Sequence, residues 1–373
     1  MTNDLSTPRR SLLLATIALA LALSGMLMLA AEWYLRATDA SRFIRPTTIP
    51  GLKYELVPNY HGFYKGIDYR TNQYGFRGES FPRVKPSGEY RVLFLGDSIV
   101  HGGHVNEDEA VGARLQALWR TRKGFENTRV INAGVSSYDV NDYLAMYKYK
   151  GYEFAPDYVV VGLFLNDNAR FIAKPSLPTG ADKPDFWRRS FLLRAVADAI
   201  SNAGIGSAAR RAKPDPDLLA EIAAAIPDPA SVRALIRFFD QHQYPLDLVT
   251  KESLPAVFDL QAWAQVRAPL GQLAEQARQH HAGLLVVVLP LEFQLTNGYV
   301  YPEPQKSIAE MCKSLNIDVL DAAPVLRELQ RQTGRSIYHR QGDMMHFNAA
   351  AHAAVAHQIF THLAQAGVAP ARS

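Results

Sequence analysis

The feature that most constrains the fold is an alternation of short apolar segments with segments of helical periodicity. The apolar segments have the length and the β-branched content of buried parallel strands. They are Arg91–Leu95, Arg129–Ile131, Tyr158–Leu165, Gly283–Leu289 and Ile317–Leu320. Helical spacing falls at Ala110–Trp119, Asp142–Tyr149 and Ala349–Leu363. The alternation predicts a three-layer α/β/α domain, in which helices cover both faces of a parallel sheet.

The N-terminus carries a second constraint, an uncharged apolar run at residues 12–31. As a helix, this run is long enough to cross hydrocarbon about 30 Å thick. Two arginines precede it at 9–10, and Trp33 and Tyr34 follow it, where aromatic rings favour the membrane interface. We interpret it as a transmembrane signal anchor, since the run continues well past the small-residue site at 22–24 where a signal peptide would be cleaved. Either outcome exports the rest of the chain, which predicts an extracytoplasmic, periplasmic domain at the cell inner membrane.

Composition divides the chain into four predicted parts. They are a short N-terminal tail at 1–11, the anchor at 12–31, an N-terminal extension at 32–89 and the main domain at 90–366. The extension is rich in turn formers and aromatic residues, and short strands are predicted around Tyr64–Tyr69. Within the main domain, residues 170–257 separate the third strand from the fourth.

A gap as long as 170–257 should hold structure of its own, because structureless loops of that size are rare in compact domains. Helical stretches at Phe186–Ile200, Asp217–Ala225 and Ser231–Gln241 predict a helical insertion, which would form a lid if it lies beside the active site. Its apolar side chains either face substrate or membrane or pack the insertion onto the sheet, and we favour the packing. These side chains are Phe186, Trp187, Phe191 and Leu192.

Composition and charge exclude some classes of protein. Hydrophobic residues make up 48% and charged residues 20% of the 373 residues, the balance of a folded globular protein. The net charge of +4 is mild, and no run of Lys or Arg is dense enough to predict nucleic-acid binding. The single cysteine, Cys312, rules out an intrachain disulfide, and its place in the helix-like stretch Ser307–Asn316 favours a buried, inert thiol.

Gly96-Asp97-Ser98 directly follows the first predicted strand. Catalytic groups in open α/β sheets gather beyond the carboxyl ends of the strands, so the position suits a reacting side chain. Ser98 would also begin the following helix, where free backbone N–H groups can receive a developing oxyanion. An ordinary strand–turn–helix junction with Ser98 as the cap explains the same tripeptide.

Two further polar elements end the second and third strands. In Asn132-Ala133-Gly134, the glycine lets the backbone approach a reacting carbonyl closely, so that its N–H can donate to an oxyanion. After the third strand, Asn166 offers a neutral amide donor at the same edge of the sheet. Taken singly, the two elements are equally well explained as a turn glycine and a turn asparagine.

Asp343 and His346 precede the last helical segment. A histidine base needs its other ring nitrogen held by a carboxylate, which fixes the tautomer and stabilises the imidazolium. An aspartate and a histidine three residues apart on one loop supply both groups. The alternative is a simple helix entry with Asn348 as N-cap, which is compatible with a working Asp–His pair.

The four elements in this order resemble the motif blocks of the GDSL/SGNH hydrolase family, which carry Ser, Gly, Asn and His. The matches are Gly96-Asp97-Ser98, Gly134, Asn166-Asp167 and Asp343-x-x-His346, and Asn72–Gly78 looks like a segment found ahead of the domain in some bacterial exported members. The resemblance covers about residues 70–168 and 280–366. It departs in having Ile99 for a frequent Leu, in Gly162 lying four rather than two residues before Asn166, and in the helical insertion, which leaves the substrate open.

Carried onto these positions, the resemblance implies a flavodoxin-like SGNH fold and a serine esterase that needs no metal or organic cofactor. Ser98 is implied as the nucleophile, His346 as its base and Asp343 as the carboxylate that orients His346. The backbone N–H groups of Ser98 and Gly134 and the side chain of Asn166 are implied as the oxyanion hole.

The expected substrate is an acylated small molecule or carbohydrate, with O-acetyl esters of envelope or exported carbohydrate as the leading case. Two rival functions stay open. The same triad in an O-acyltransferase would pass the acyl group to a sugar hydroxyl, and a non-catalytic envelope binding or assembly protein would retain only the fold.

Other histidines are expected to be outside the chemistry. His101 and His104 form a pair near Ser98 that suggests a metal site, but the sequence shows no third ligand, and we interpret them as surface residues. His352, His357 and His362 fall in the closing helix, where solvated or packed positions are expected.

Overall fold

The computed structural model describes residues 7–37, 43–64, 67–168, 228–242, 257–295, 302–339 and 343–368, with Leu192, Leu193, Ala220, Ala224 and Ile226 as isolated positions. Most of the predicted insertion, including the stretches Phe186–Ile200 and Asp217–Ala225, lies outside the described residues. Ser41–Leu177 and Arg211–Ser373 belong to one compact unit, and the N-terminal helix belongs to another.

The strands form one five-stranded sheet and two small antiparallel pairs. In chain order they are β1 (Ile44–Arg45), β2 (Glu55–Leu56), β3 (His61–Tyr64), β4 (Ile67–Arg70), β5 (Tyr90–Gly96), β6 (Thr128–Gly134), β7 (Tyr158–Phe164), β8 (Gly283–Leu289) and β9 (Asp318–Asp321). All five predicted core strands are therefore confirmed, with bounds shifted by a few residues. The strands expected around Tyr64–Tyr69 are the hairpin β3–β4.

The α-helices of the described residues are α1 (Thr7–Ala37), α2 (Ser98–His101), α3 (Val111–Arg120), α4 (Val140–Tyr149), α5 (Pro229–His242), α6 (Leu260–Gln265), α7 (Arg267–Gln279), α8 (Glu303–Ser314), α9 (Ala323–Thr333) and α10 (Ala349–Gln365). The predicted helices over Ala110–Trp119, Asp142–Tyr149, Ser231–Gln241 and Ala349–Leu363 correspond to α3, α4, α5 and α10. Cys312 lies in α8, where burial raises the pKa of its thiol to about 12, as expected of an inert cysteine.

The large sheet is parallel throughout, with the strand order β6-β5-β7-β8-β9. This is the flavodoxin-like order, in which the chain first steps outward from β5 to β6 and then crosses back to β7. Crossovers between parallel strands are right-handed as a rule, and with this rule the change of direction puts α3 and α4 on opposite faces. The helix α3 packs with α10 and α4 packs with α7, so the predicted three-layer α/β/α architecture is confirmed.

A row of three glycines crosses the neighbouring strands β6, β5 and β7 at or near their carboxyl ends. Gly96 of β5 is in register with Gly134 of β6 on one side and with Gly162 of β7 on the other. The short helix α2 lies over the row. A Cβ on Gly96 or Gly162 would come within 2.5 Å of the Val100 side chain, and a Cβ on Gly134 would lie 2.4 Å from the His101 backbone nitrogen. The glycines therefore allow α2 to approach the sheet far more closely than side chains would permit.

The N-terminal extension packs against the main domain from residue 43 onward. Tyr54, Tyr69 and Phe76 are almost fully buried. The Lys53 ammonium lies 3.0 Å from a carboxylate oxygen of Asp139 and 2.9 Å from one of Asp142, at the start of α4. These contacts make this part of the extension continuous with the core, in agreement with its membership of the same compact unit.

The helix α1 contains the predicted membrane segment. Its stretch Leu12–Tyr34 has 23 residues and contains an 18-residue window with a mean hydropathy of 2.4, so it is long and apolar enough to cross a membrane. A retained anchor and a signal sequence both have these properties.

The glycine row generates a stability prediction. Replacing Gly134 with Ala should lower the free energy of unfolding by about 2–3 kcal/mol. The new methyl group would collide with main-chain atoms of Val100 and His101, which, unlike a side chain, cannot move away by changing rotamer. Guanidinium denaturation of the two proteins measures the difference.

Gly112→Ala in α3 is the matched control. There the nearest atoms to a Cβ are side-chain carbons at 3.4 and 3.7 Å, which is ordinary contact, and alanine favours the helix by up to about 1 kcal/mol. Equal effects of the two substitutions would contradict the packing role of the glycine row.

Candidate active site

Ser98 lies at the point where the strand order changes direction. The strand β5 ends at Gly96, and Asp97 caps α2 by accepting a hydrogen bond from the backbone N–H of Ile99 at 2.8 Å. The helix begins at Ser98 and lasts only one turn, to His101, and its C-cap is Gly102, whose φ of 69° is in the left-handed region. The Ser98 hydroxyl is half-buried, 3.3 Å from a carboxylate oxygen of Asp97. Its place beyond the carboxyl end of a central strand is where open α/β sheets bind and react with ligands.

The loop before α10 brings a histidine to this serine from 248 residues further along the chain. The Nε2 atom of His346 lies 3.1 Å from the Ser98 Oγ. Its Nδ1 atom lies 3.1 and 3.0 Å from the two carboxylate oxygens of Asp343. The structure therefore brings together the three residues for which the sequence predicted a triad, in the predicted order of contact.

Asp343 is held rigidly by its own loop. One carboxylate oxygen accepts the backbone N–H groups of Met345 at 3.0 Å and His346 at 2.9 Å, in addition to facing the imidazole. Burial alone would raise the pKa of the Asp343 carboxyl, but the hydrogen bonds and charge of His346 hold that pKa well below its usual range. A carboxylate that stays ionised can fix His346 with its proton on Nδ1, leaving Nε2 to accept the serine proton.

The pKa of Asp97 is shifted in the direction opposite to that of Asp343. Its carboxyl is buried, and burial raises the pKa of Asp97 to about 6, against the hydrogen bonds from Ile99 and Ser98. Its contacts are those of a helix cap, which set the position of α2 and hence of Ser98.

The contacts of the predicted oxyanion donors point to their roles less directly than the contacts of the triad residues do. The Gly134 backbone N–H donates to the Asn132 side-chain oxygen at 3.1 Å, and the glycine itself is accounted for by its packing beneath α2. Asn166 is buried in the turn after β7, next to Asp167, whose carboxylate accepts the Phe164 backbone N–H at 2.7 Å. The roles of the Ser98 and Gly134 N–H groups and of the Asn166 amide stay predictions.

Arg77, in the segment Asn72–Gly78, supports the active-site loop and was not identified as a functional residue from sequence. Its buried guanidinium donates to the backbone carbonyls of His101, at 2.8 Å, and of Gly102, and to that of Val105, at 2.7 Å. These carbonyls belong to the end of α2 and the loop behind it, so one side chain of the extension fixes the segment that follows Ser98. A buried charge among carbonyls has no sequence signal beyond the motif in which it lies.

Lys53 performs a similar task on the loop after β6. Its ammonium donates to the Ser137 carbonyl at 2.9 Å. Ser137 has a φ of 62°, an unusual conformation for a residue other than glycine and one that persists only when its surroundings hold it. The sequence prediction missed Ser137, since only coordinates show its backbone conformation.

The histidines near Ser98 differ from the sequence interpretation. His101 is not a surface residue: it is fully buried, its ring is hydrogen-bonded to the Tyr69 hydroxyl, and it lies 3.2 Å from the Ser136 hydroxyl. The interpretation failed because the extension, which includes Tyr69, packs against His101 and covers it. His104 is half-buried, and its ring centroid lies 4.0 Å from that of His346. With Asp343 and His346, His104 forms a group that can hold a metal ion.

The three histidines of α10 are not in the triad. His352 is buried against Phe347, and its Nδ1 atom has no hydrogen-bond partner among the described residues. His357 is exposed, and His362 pairs with Asp318 at 2.7 Å. These are the packed and solvated positions expected from sequence.

A cavity of about 510 Å³ lies elsewhere, between α3, β6 and the segment after Asn72. Its lining includes Arg77, Arg114, Arg129 and Asn132, but none of the three triad residues. The cavity is therefore distinct from the cleft in which Ser98 would meet a substrate.

Comparison with known proteins identifies the family to which the chain belongs. The family model for GDSL-like lipase/acylhydrolase matches residues 92–359, and the chain belongs to this family of ester-bond hydrolases. No curated protein sequence matches.

Solved structures similar to the chain include several esterases. A catalytic mutant of Axe2, an acetylxylan esterase from Geobacillus stearothermophilus, is 14% identical over 78% of this chain and 100% of its own, with a TM-score of 0.42. TesA is 16% identical over 74% of this chain and 98% of its own, with a TM-score of 0.39. The acetyl xylan esterase AlAXEase is 12% identical over 73% of this chain and 99% of its own, with a TM-score of 0.40.

His352 generates a prediction about acid stability. Burial, with smaller contributions from the charges of Arg77 and His346, lowers the pKa of His352 to about 3. The native state therefore holds the ring neutral while the unfolded chain takes up a proton below about pH 6.5. The resulting stability is fully present above pH 6.5 and is lost as the pH falls toward 3.

Replacing His352 with Gln should remove this dependence. Between pH 7 and pH 5, the unfolding free energy of the natural protein should fall by about 2 kcal/mol more than that of the variant, measured by urea denaturation at each pH. His357→Gln, an exposed position on the same helix, should behave like the natural protein. Parallel pH profiles for His352→Gln and the natural protein would refute this role of His352.

Proposed function

We propose that the protein is a serine esterase in which Ser98 is the nucleophile, His346 the general base and Asp343 the orienting carboxylate. The observation that carries the proposal is the continuous hydrogen-bonded chain from the Ser98 hydroxyl through both ring nitrogens of His346 to the Asp343 carboxylate. Its distances of 3.0–3.1 Å are within the range expected of a nucleophile and base before substrate binds.

The reaction follows from this arrangement. The Nε2 atom of His346 takes the Ser98 proton as Oγ forms a bond to the ester carbonyl carbon, which gives a tetrahedral anion. Collapse of the anion breaks the bond to the alcohol, which leaves with the proton from Nε2, and an acyl-serine remains. Water then attacks the acyl carbon, His346 again moves the proton, and the carboxylic acid and free Ser98 are released.

The tetrahedral anion needs donors on the side of the carbonyl away from His346. The Ser98 N–H is one proposed donor, because it lies in the first turn of α2, where backbone donors have no partner within the helix. Gly134 and Asn166, which follow the neighbouring strands β6 and β7, are the other proposed donors. Loss of one donor of this kind costs about 2.7–4 kcal/mol of transition-state stabilisation.

The proposed substrates are acyl esters, with O-acetyl groups on envelope or exported carbohydrate as the leading class. Support for this class comes from the apolar helix α1, which fits export of the domain to the compartment where such carbohydrates lie. The proposed location is the periplasmic side of the inner membrane, with α1 as a retained single-pass anchor.

The first test of the mechanism is substitution of the triad. Ser98→Ala and Asp343→Asn should each lower kcat for hydrolysis of p-nitrophenyl acetate by about 10³-fold or more, since one removes the nucleophile and the other the group that holds the His346 tautomer. Ser307→Ala, in α8, is the matched control and should keep full activity. A folded Ser98→Ala variant that retains the activity would refute the proposal.

A second measurement separates hydrolysis from acyl transfer and from a purely structural role. An active-site phosphonate should label Ser98, identified by mass spectrometry of the peptide. The protein incubated with an acetyl ester and a glycan acceptor should release acetic acid and leave the glycan unmodified. Stable acetylation of the glycan would instead establish a transferase, and a folded protein that resists the phosphonate would favour a non-catalytic one.

The location has its own test. Expressed in a bacterium, the full chain should sediment with the inner membrane and require detergent for release, and its domain should be digested by protease in spheroplasts but not in intact cells. A cytoplasmic marker protein should stay protected in both. Recovery of a shortened, soluble periplasmic form would show that the N-terminal segment is a cleaved signal peptide.

A further inference from the structure

His104, Asp343 and His346 offer three potential metal-ligand atoms, all within 4.8 Å of one another. They come from two distant parts of the chain. His104 follows α2, and the other two residues lie on the loop before α10. Among the described residues, this is the one group of three histidine, cysteine or acidic side chains close enough to share an ion.

The two imidazole rings are in close contact. Their centroids are 4.0 Å apart and their planes are inclined by 37°. The side chains of His346 and Asp343 are 19% and 8% exposed, so the group borders the active-site opening while most of its surface is shielded from water. An ion can reach such a position, and its attraction to the Asp343 carboxylate is screened less than it would be on an open surface.

The ligand types select among metals. Two imidazoles and one carboxylate are a set that suits Zn²⁺, which takes nitrogen and oxygen ligands at about 2.0–2.2 Å in a tetrahedral arrangement. Mg²⁺ and Ca²⁺ prefer sites made wholly of oxygen ligands. Three protein ligands leave the fourth tetrahedral position for water or for the adjacent Ser98 oxygen.

We propose that His104, Asp343 and His346 form a Zn²⁺-binding site that overlaps the catalytic triad, and that Zn²⁺ inhibits the enzyme reversibly by occupying it. The inhibitory part rests on the proposed function, because it requires His346 to be the base and Asp343 its partner. A ring nitrogen bound to zinc cannot accept the Ser98 proton, and a carboxylate bound to zinc cannot hold the ring in its working tautomer. No bond is made or broken beyond the coordination itself.

His104 is the residue that turns the triad into a metal site. Without it, one aspartate and one histidine remain, and two ligands from one loop bind a divalent ion weakly. The partly exposed pair of His362 and Asp318, at 2.7 Å, has this two-ligand character and lies outside the three-residue group. Replacement of His362 therefore provides a matched control for loss of a histidine that faces a carboxylate.

The binding arm of the test does not depend on catalysis. In the Ser98→Ala protein, isothermal titration should show one equivalent of Zn²⁺, and Co²⁺ in its place should give the intense visible absorption of a tetrahedral site. Adding His104→Ala should weaken Zn²⁺ binding at least tenfold, whereas adding His362→Ala should leave it unchanged, with each variant's thermal unfolding checked for a native fold. His104→Gln, which keeps a polar side chain, replaces His104→Ala if the latter does not fold. Absence of Zn²⁺ binding, or equal binding with and without His104, overturns the site.

The activity arm uses the protein with Ser98 in place. Zn²⁺ should inhibit hydrolysis of p-nitrophenyl acetate, chelation with EDTA should restore it, and Mg²⁺ should have no effect. Relative to each variant's own uninhibited rate, His104→Ala should raise the half-inhibitory Zn²⁺ concentration at least tenfold, and His362→Ala should not change it. Zn²⁺ binding without inhibition overturns the overlap with the triad. If the protein has no esterase activity at all, the proposed function fails while the binding arm still decides the metal site.

Discussion

The close approach of α2 to the central sheet is the constraint on which the active site depends. Ser98 stands at the start of a one-turn helix, too short to hold its own position by internal hydrogen bonds. Its position comes from contact with the sheet, which requires that Gly96, Gly134 and Gly162 have no side chains. Because β5, β6 and β7 are parallel, the turns after β6 and β7 lie at the same edge of the sheet as α2. Asp97 at one end of α2 and Arg77 at the other then fix Ser98 from both sides.

The same packing explains why the sequence predicted some features of the site and missed others. The strands and the order of the motifs are local properties, so runs such as Gly283–Leu289 could be read directly, and the Asp343–His346 pair lies within one turn of chain. Gly134 could also be found, but a sequence shows the same glycine whether its role is to donate to an oxyanion or to allow close packing. The burial of His101 and the contact of His104 with His346 depend on how distant segments meet, which no local pattern records.

The extension shows most clearly which features could not be predicted from the sequence. Its many turn formers and aromatics predicted a segment leading into the domain, but they did not predict the contacts that this segment makes with buried side chains of the domain. Arg91, the second residue of β5, is fully buried and donates to the carbonyls of Pro82 and Arg83, at 2.7 and 2.9 Å. A buried guanidinium is stable only where carbonyls or carboxylates surround it. The backbone of the extension is what supplies them here.

Arg77 has a consequence for where this protein can be divided. The family model begins at residue 92, fifteen positions after the arginine whose guanidinium joins three carbonyls that follow Ser98. A fragment that began at residue 92 would lack the donor to those carbonyls. It would also expose the side of His101 that Tyr69 covers. The stretch that the family model matches is thus shorter than the compact unit to which it belongs, and the described part of that unit begins at residue 43.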